Sequence, residues 1–438
     1  KVFIIIFLIA SGLLSLIYLR KFNIYEISNN YYFFFHFLAF LLFFIISLIF
    51  FIIKNHNIKT YYVIVINSVI VSLLIFEFLI NKLYLDTHLQ YQNEIKKLKN
   101  ERNIKFDVKN IYDKYFEVKN KYSNVRLNIN AKTFLNLQNN NILPLSNFPN
   151  SKILNCNENG YYSIEISDRY GFNNPNAAWR QNNKFLLLGD SFVQGYCVDY
   201  ENSLSGHIAK KYSNINLGFG GSGPLMQFAI LIEYLEEIQS DHLIWFFYEE
   251  NDPEDLNQEI ENDILKKYLQ DNFSQKLIDK VSDLETILNG IQNKKINILK
   301  KNHDNLSILK LTKIRNILKL KFKNKNPKQD NNKDFNLKSY TEILSKTKEL
   351  LNKKKIQFTL VYIPKFSNLI NYKYDHKLNN KISKVAKNKK INFINLSKEL
   401  KQIDIKPSKL YLFEKYGHFN EYGYEIISKL VTDKIIFF

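Results

Sequence analysis

Two cysteines in 438 residues limit the covalent and metal chemistry open to this chain. Cys156 and Cys197, with eight scattered histidines, show no spacing of the kind that builds a tetrahedral metal centre. No metal and no cofactor is called for. No internal repeat is visible, which excludes a solenoid or propeller array. Despite a net charge of +19, the chain has no interleaved aromatic platform and no nucleic-acid motif, so nucleic acid is not an expected partner. Charge is scarce in three N-terminal runs, 2–19, 31–53 and 61–80. Each is long enough, or nearly so, to cross a hydrocarbon core of about 30 Å as a helix.

One apolar run could be a signal peptide, but three in succession cannot. Residues 1–84 therefore read as a transmembrane region of three helices, with the lipid bilayer as partner. The connecting loops carry Arg20 and Lys21 against Glu26, then Lys54 and Lys59 with His56, which is too close a balance to fix orientation. Two ionisable residues fall inside the runs, His36 in the second and Glu77 in the third. Both lie toward the same side of the bilayer, and a helix-pairing contact is the expectation.

Beyond residue 84 the chain changes character. Residues 85–144 read as a helical stalk and linker, with Pro144 and Pro149 marking irregular chain at the entrance to a globular domain, 145–438. There, short apolar runs at 184–188, 215–217, 242–248, 357–363 and 391–395 alternate with helical patterns at 203–212, 225–239, 340–352 and 420–432. Such alternation predicts an α/β fold, a three-layer sandwich around a mostly parallel sheet of about five strands. A helical insertion at about 255–336 interrupts it. Between Lys294 and Lys333, twelve lysines and one arginine stand against Asp304 and Asp330. That stretch reads either as a solvated insert or as a basic amphipathic helix lying on anionic lipid.

Cys156 and Cys197 flank the first predicted strand. They are a disulfide candidate, which would contribute about 3–4 kcal/mol and require an oxidising compartment; two buried thiols are the alternative.

Four separated pieces gather the groups of nucleophilic catalysis. Gly189-Asp190-Ser191 closes the apolar run 185–188, at the carboxyl edge where open α/β sheets bind ligands. A glycine-rich turn, 216–224, follows the second strand. Tyr248-Glu249-Glu250-Asn251-Asp252 ends the third. Gly417-His418-Phe419-Asn420 precedes the last helix, with Asn420 as its expected cap. Ser191 needs a base to take its proton, and His418 is placed to serve.

At these four blocks the chain resembles the SGNH (GDSL-type) hydrolase family, from about residue 145 to the C-terminus with the insertion set aside. The segment Cys156-Asn157-Glu158-Asn159-Gly160, continuing through 167–175, is similar to the lead-in of membrane-anchored members associated with surface-glycan modification. The resemblance implies Ser191 as nucleophile, His418 as base, and an oxyanion hole made by the amides of Ser191 and Gly221 and the side chain of Asn251, with Gly220 able to exchange places with Gly221. The family carries an aspartate three residues before the histidine, where this chain has Lys415. Glu414 is the candidate acid, Asp375 and Asp404 are remote ones, and a Ser-His dyad aligned by a backbone carbonyl is the other possibility. Glu249 and Glu250 replace the residues usual before the asparagine.

The resemblance implies a serine esterase or O-acyltransferase acting on an acylated envelope carbohydrate. Its expected place is the bacterial inner membrane, multi-pass, with the globular domain periplasmic or extracellular and glycan-assembly proteins as partners. The alternative is a non-catalytic glycan-binding or polysaccharide-assembly protein that retains the fold.

Overall fold

The computed structural model describes residues 49–50, 52–102, 107, 109–135, 137, 141–303, 335–371, 377–403, 405–414 and 417–436. Among the described residues the chain divides into two compact units, one up to residue 84 and the other from residue 85 onward. Among the described residues one helix is long and apolar enough to cross a membrane, at His56–Ile80, against the three expected. It opens a longer helix α1, His56–Arg102. The run 2–19, most of 31–53, and His36 lie outside the described residues. Glu77 is fully buried while Phe76 and Phe78 are more than half exposed, an inversion of what composition alone would give.

In the second unit, α2 (Ile111–Lys121) leads to a small sheet that the sequence does not signal. Its strands are β1 (Val125–Leu127), β2 (Lys152–Leu154) and β3 (Ile164–Ile166). β1 pairs parallel and β3 antiparallel with β2. Three residues per strand are too few to show an alternation.

The main sheet is fully parallel, in the order β5-β4-β6-β7-β8. Its strands are β4 (Asn182–Leu188), β5 (Asn214–Asn216), β6 (Gln239–Tyr248), β7 (Gln357–Ile363) and β8 (Asn392–Asn395). Alternate side chains enter separate cores on its two faces. Leu186, Leu188, Trp245 and Leu360 pack on one side, and Phe185, Leu187, Phe246 and Val361 on the other. The first core is roofed by α5 (Pro224–Tyr234) and α8 (Leu337–Lys353). The second is closed by α3 (Ser191–Gln194), α4 (Leu204–Ala209) and α11 (Glu421–Ile436). This is the three-layer α/β sandwich. Because β5 and β6 lie on opposite sides of β4, the strand order reverses at the β4/β6 crevice, where ligands bind in folds of this kind.

The described part of the insertion is structural rather than appended. Its helices α6 (Asp252–Glu259) and α7 (Val281–His303) bury Leu256, Leu284 and Leu288 in the first core. Gln292 and Lys295 of α7 reach β1, accepting from the Leu127 amide at 3.0 Å and donating to the Asn128 carbonyl at 2.6 Å. The lysine-rich remainder, 304–334, lies outside the described residues. Between α8 and α11 stand α9 (Lys377–Asn388) and α10 (Leu396–Gln402), which flank β8.

Candidate active site

β4 ends in a tight strand-turn-helix. A Cβ on Gly189 would lie 2.5 Å from Val193 Cγ2, so any larger residue in the turn would have to displace Val193. Asp190 then caps α3: its buried carboxylate accepts from the Phe192 amide at 2.9 Å. Gly195, left-handed at φ 82°, closes the helix after one turn. Ser191 is thereby the first helical residue, half-buried at the sheet's carboxyl edge.

His418 arrives from the far end of the chain. Asn420 caps α11 through the Gly423 amide at 2.7 Å, and its Nδ2 donates to the carbonyls of Lys409 and Tyr411. The fold thus returns the imidazole between the rings of Phe192 and Tyr196, at centroid distances of 5.1 and 4.9 Å. His418 Nε2 lies 2.8 Å from Ser191 Oγ, the contact needed for proton exchange during attack.

The group on the other ring nitrogen is not the expected one. Glu158 Oε2 lies 3.1 Å from His418 Nδ1 and also accepts from the His418 amide at 3.4 Å. Glu414 is turned elsewhere, accepting from Lys406 Nζ and Ser408 Oγ, each at 3.3 Å. Asp375 and Asp404 lie outside the described residues. Burial alone would raise the Glu158 carboxyl, but the hydrogen bond and charge of His418 outweigh it and hold it below the ordinary carboxylate range.

Glu158 sits in the hairpin loop between β2 and β3, which is fastened on both sides of the site. Cys156 and Cys197 form a disulfide, with Cα atoms 5.0 Å apart. Asn159 Nδ2 donates to the Cys197 carbonyl at 2.8 Å, and the Tyr161 hydroxyl to Glu421 at the head of α11, also at 2.8 Å. Gly417 has φ +120°, and a Cβ there would stand 3.3 Å from Glu158 Oε2. Sequence reasoning marks the 156–160 segment but not its carboxylate. The signal is present in Cys156, since a bridge to Cys197 carries Glu158 toward Ser191. Cys156, Cys197 and Glu158 also stand close enough to share a cation. With both sulfurs committed to a disulfide, however, no thiolate remains to ligate one.

The candidate oxyanion donors follow the ends of β5 and β6, the strands on either side of β4. Asn251, following β6, donates Nδ2 to Asp190 Oδ2 at 2.9 Å, which aims the amide across the β4/β6 crevice and leaves its second N–H. Gly221 has φ +79°, a backbone state that favours glycine. The Gly220 N–H is taken by Gln194 Oε1 at 2.8 Å. Glu259 holds the same turn from behind, accepting from the amides of Gly223, Leu225 and Met226 at 2.6, 3.0 and 3.2 Å. Glu249 accepts from the Lys365 amide and Asn368 Nδ2, and Glu250 from the Tyr248 hydroxyl.

The segment 167–175 braces the arrangement. Asp168, fully buried, accepts from the amides of Tyr170 and Phe172, from Asn174 Nδ2 and from Trp179 Nε1. Asn174 in turn clasps both backbone polar groups of Asn216 at 2.8 Å. Asn216 ends β5 and donates Nδ2 to the Val193 carbonyl at 2.7 Å, so the second and first blocks are locked together.

No family model matches the chain, and no curated protein matches it. Among solved structures it is similar to a lipolytic protein of the G-D-S-L family from Desulfitobacterium hafniense DCB-2, at 14% identity and a TM-score of 0.31, over 57% of this chain and 99% of that one. It is also similar to the acetyl xylan esterase AlAXEase, at 13% identity and a TM-score of 0.32, over 57% of this chain and 98% of the other.

Proposed function

We propose that this protein is a membrane-anchored serine esterase or O-acyltransferase. The observation that carries this reading is the unbroken chain Ser191 Oγ–His418 Nε2 and His418 Nδ1–Glu158 Oε2, at 2.8 and 3.1 Å. Ser191 Oγ attacks the carbonyl carbon of an ester while its proton passes to His418 Nε2. Glu158 holds the Nδ1–H tautomer and stabilises the imidazolium. The oxyanion faces the amides of Ser191 and Gly221 and the Asn251 side chain. Collapse expels the alcohol, protonated by His418, and leaves an acyl-Ser191. Water or a second hydroxyl, deprotonated by the same imidazole, then takes the acyl group.

Ser191, His418 and Glu158 are each half-buried rather than enclosed, which suits an acyl group carried on a bulky chain. The apolar helix His56–Ile80 and the disulfide favour a bilayer-attached enzyme facing an oxidising compartment. An acylated envelope carbohydrate is the substrate class we propose there, with envelope glycan-assembly proteins as partners. Multi-pass insertion in a bacterial inner membrane, with the globular unit on the outer side, is part of the same proposal. The non-catalytic reading rests on a missing acid and an acidic pair beside Asn251. Glu158 supplies a carboxylate, and Glu249 and Glu250 are engaged with other groups.

The test is the full chain in detergent with a fluorophosphonate probe and p-nitrophenyl acetate. Labelling and p-nitrophenol release, both lost in Ser191→Ala, are expected. A well-folded wild-type protein that does neither would exclude catalysis.

A further inference from the structure

Two buried side chains outside the Ser–His–Glu chain converge on the oxyanion turn. Gln194 and Glu165 are 2% and 3% exposed. Gln194 Oε1 accepts from the Gly220 amide at 2.8 Å, and its Nε2 donates to Glu165 Oε2 at 2.7 Å. Its backbone carbonyl is held by Asn173 Nδ2 at 2.9 Å, so the side chain has a fixed root. Glu165 comes from β3 of the small sheet, an element with no strand in the catalytic sheet.

The consequence lies in two successive peptide planes that meet at the Gly220 Cα. The Gly220 carbonyl accepts from the Ala131 amide at 2.9 Å. In a trans peptide the next N–H points the opposite way, and no cis peptide is present among the described residues. With the Gly220 carbonyl tied to Ala131, the Gly221 N–H of the same peptide is turned away from Ala131 and forms no hydrogen bond among the described residues, while Gln194 holds the preceding Phe219–Gly220 peptide through its N–H. The turn also lies directly on the nucleophile, since a Cβ on Gly220 would stand 3.6 Å from Ser191 Cβ. Rotation of the Gly220–Gly221 plane would present the Gly220 carbonyl where a donor is needed.

We propose that Gln194 and Glu165 are positioning residues that fix the Phe219–Gly220 peptide, and through it the turn whose next amide, the Gly221 N–H, is directed at the developing oxyanion. The role is indirect: neither side chain touches substrate. Gln194 consumes the competing amide, and Glu165 fixes which end of Gln194 faces the turn. Burial raises the Glu165 carboxyl to about 8, so it is protonated at neutral pH. Its Oε2 accepts from Gln194, and its Oε1 has no hydrogen-bond partner among the described residues.

This inference rests on the serine-hydrolase reading, and its test separates the two. Wild type, Gln194→Leu, Glu165→Leu and Glu165→Gln are compared as full chains in detergent on p-nitrophenyl acetate, with fluorophosphonate labelling of Ser191 as a separate count of competent nucleophile. Loss of a whole oxyanion donor costs about 10²–10³ in kcat; loss of its alignment is expected to cost about 10- to 100-fold in Gln194→Leu, with KM within about twofold and Ser191 still labelled to completion. Glu165→Leu is expected to fall in the same direction. Glu165→Gln keeps an acceptor for Gln194 and is expected to recover to within about threefold of wild type. Gln194→Leu with kcat within twofold of wild type, or a rise in KM in place of the fall in kcat, would overturn the proposal. So would Glu165→Gln as impaired as Glu165→Leu, a comparison that holds even if Gln194→Leu does not fold. An unlabelled, inactive wild type would instead reject the hydrolase reading.

Discussion

Replacing Glu158 by alanine removes the only carboxylate that touches His418 among the described residues, and the size of the loss can be worked from the contact. The Glu158–His418 interaction is one hydrogen bond of 3.1 Å to a side chain that is 34% exposed. A hydrogen bond involving a charged partner contributes about 1.5–3 kcal/mol, which corresponds to about 10- to 150-fold in rate. Enclosed triads lose about 10⁴ when the acid is changed. The smaller figure is expected here because water can partly replace an exposed carboxylate. In steady-state hydrolysis of p-nitrophenyl acetate by the full chain, Glu158→Ala should therefore fall within that interval, mainly in kcat. Glu158→Gln, still able to accept from Nδ1–H, should fall less. Glu414→Gln should stay within twofold of wild type. Glu158→Ala within twofold of wild type, or Glu414→Gln as impaired as Glu158→Ala, would refute the assignment.

Replacing both cysteines by serine opens a bridge between positions 41 residues apart. The chain-entropy relation gives about 4 kcal/mol for such a loop, so thermal unfolding should shift down, and kcat should fall toward the Glu158→Ala value as the hairpin loosens. Asn251→Ala should lower kcat by about 10²–10³ through loss of one oxyanion donor, with Ser191 still present for mass-spectrometric mapping; a loss under threefold would remove Asn251 from the hole. Glu165 gives a pH signature. Its carboxyl is neutral in the folded protein up to about pH 8 but ionises near 4.5 when unfolded, so the native state binds the extra proton and stability declines as pH rises between those values. Glu165→Gln lacks this term. Its unfolding free energy relative to wild type should improve by about 1.4 kcal/mol per pH unit across that window, and parallel curves would contradict the buried neutral acid.

The parts of the site legible in sequence are those in which one short segment both ends an apolar strand and carries the chemistry. Ser191 follows β4, Asn251 follows β6 and the glycine turn follows β5. In each case the run of buried residues announces the strand, and the strand places what comes next. β7 matches the predicted 357–363 to the residue, and β4 begins two residues earlier than predicted, at Asn182. Glu158 is hidden for the opposite reason. It lies ahead of the catalytic sheet, 260 positions from its partner, on a hairpin whose strands are three residues long and leave no periodic trace. Glu165 shares that hairpin and is hidden with it. A charged residue in a short irregular stretch reads as solvated until tertiary contacts close around it. The insertion is helical over its described part, and Leu284, Leu288 and Ile291 of α7, ahead of the lysine-dense stretch, enter the core.

The small three-stranded sheet gives the molecule a division of labour. A chain cut back to Asn182 would keep all five parallel strands, the serine and the histidine, and would still look complete by topology. It would nevertheless leave behind the carboxylate that steadies the imidazole, the one that steadies the amide turn, and half of the covalent clasp. On the proposed reading, variation in the accessory sheet should alter turnover while leaving the five parallel strands in place.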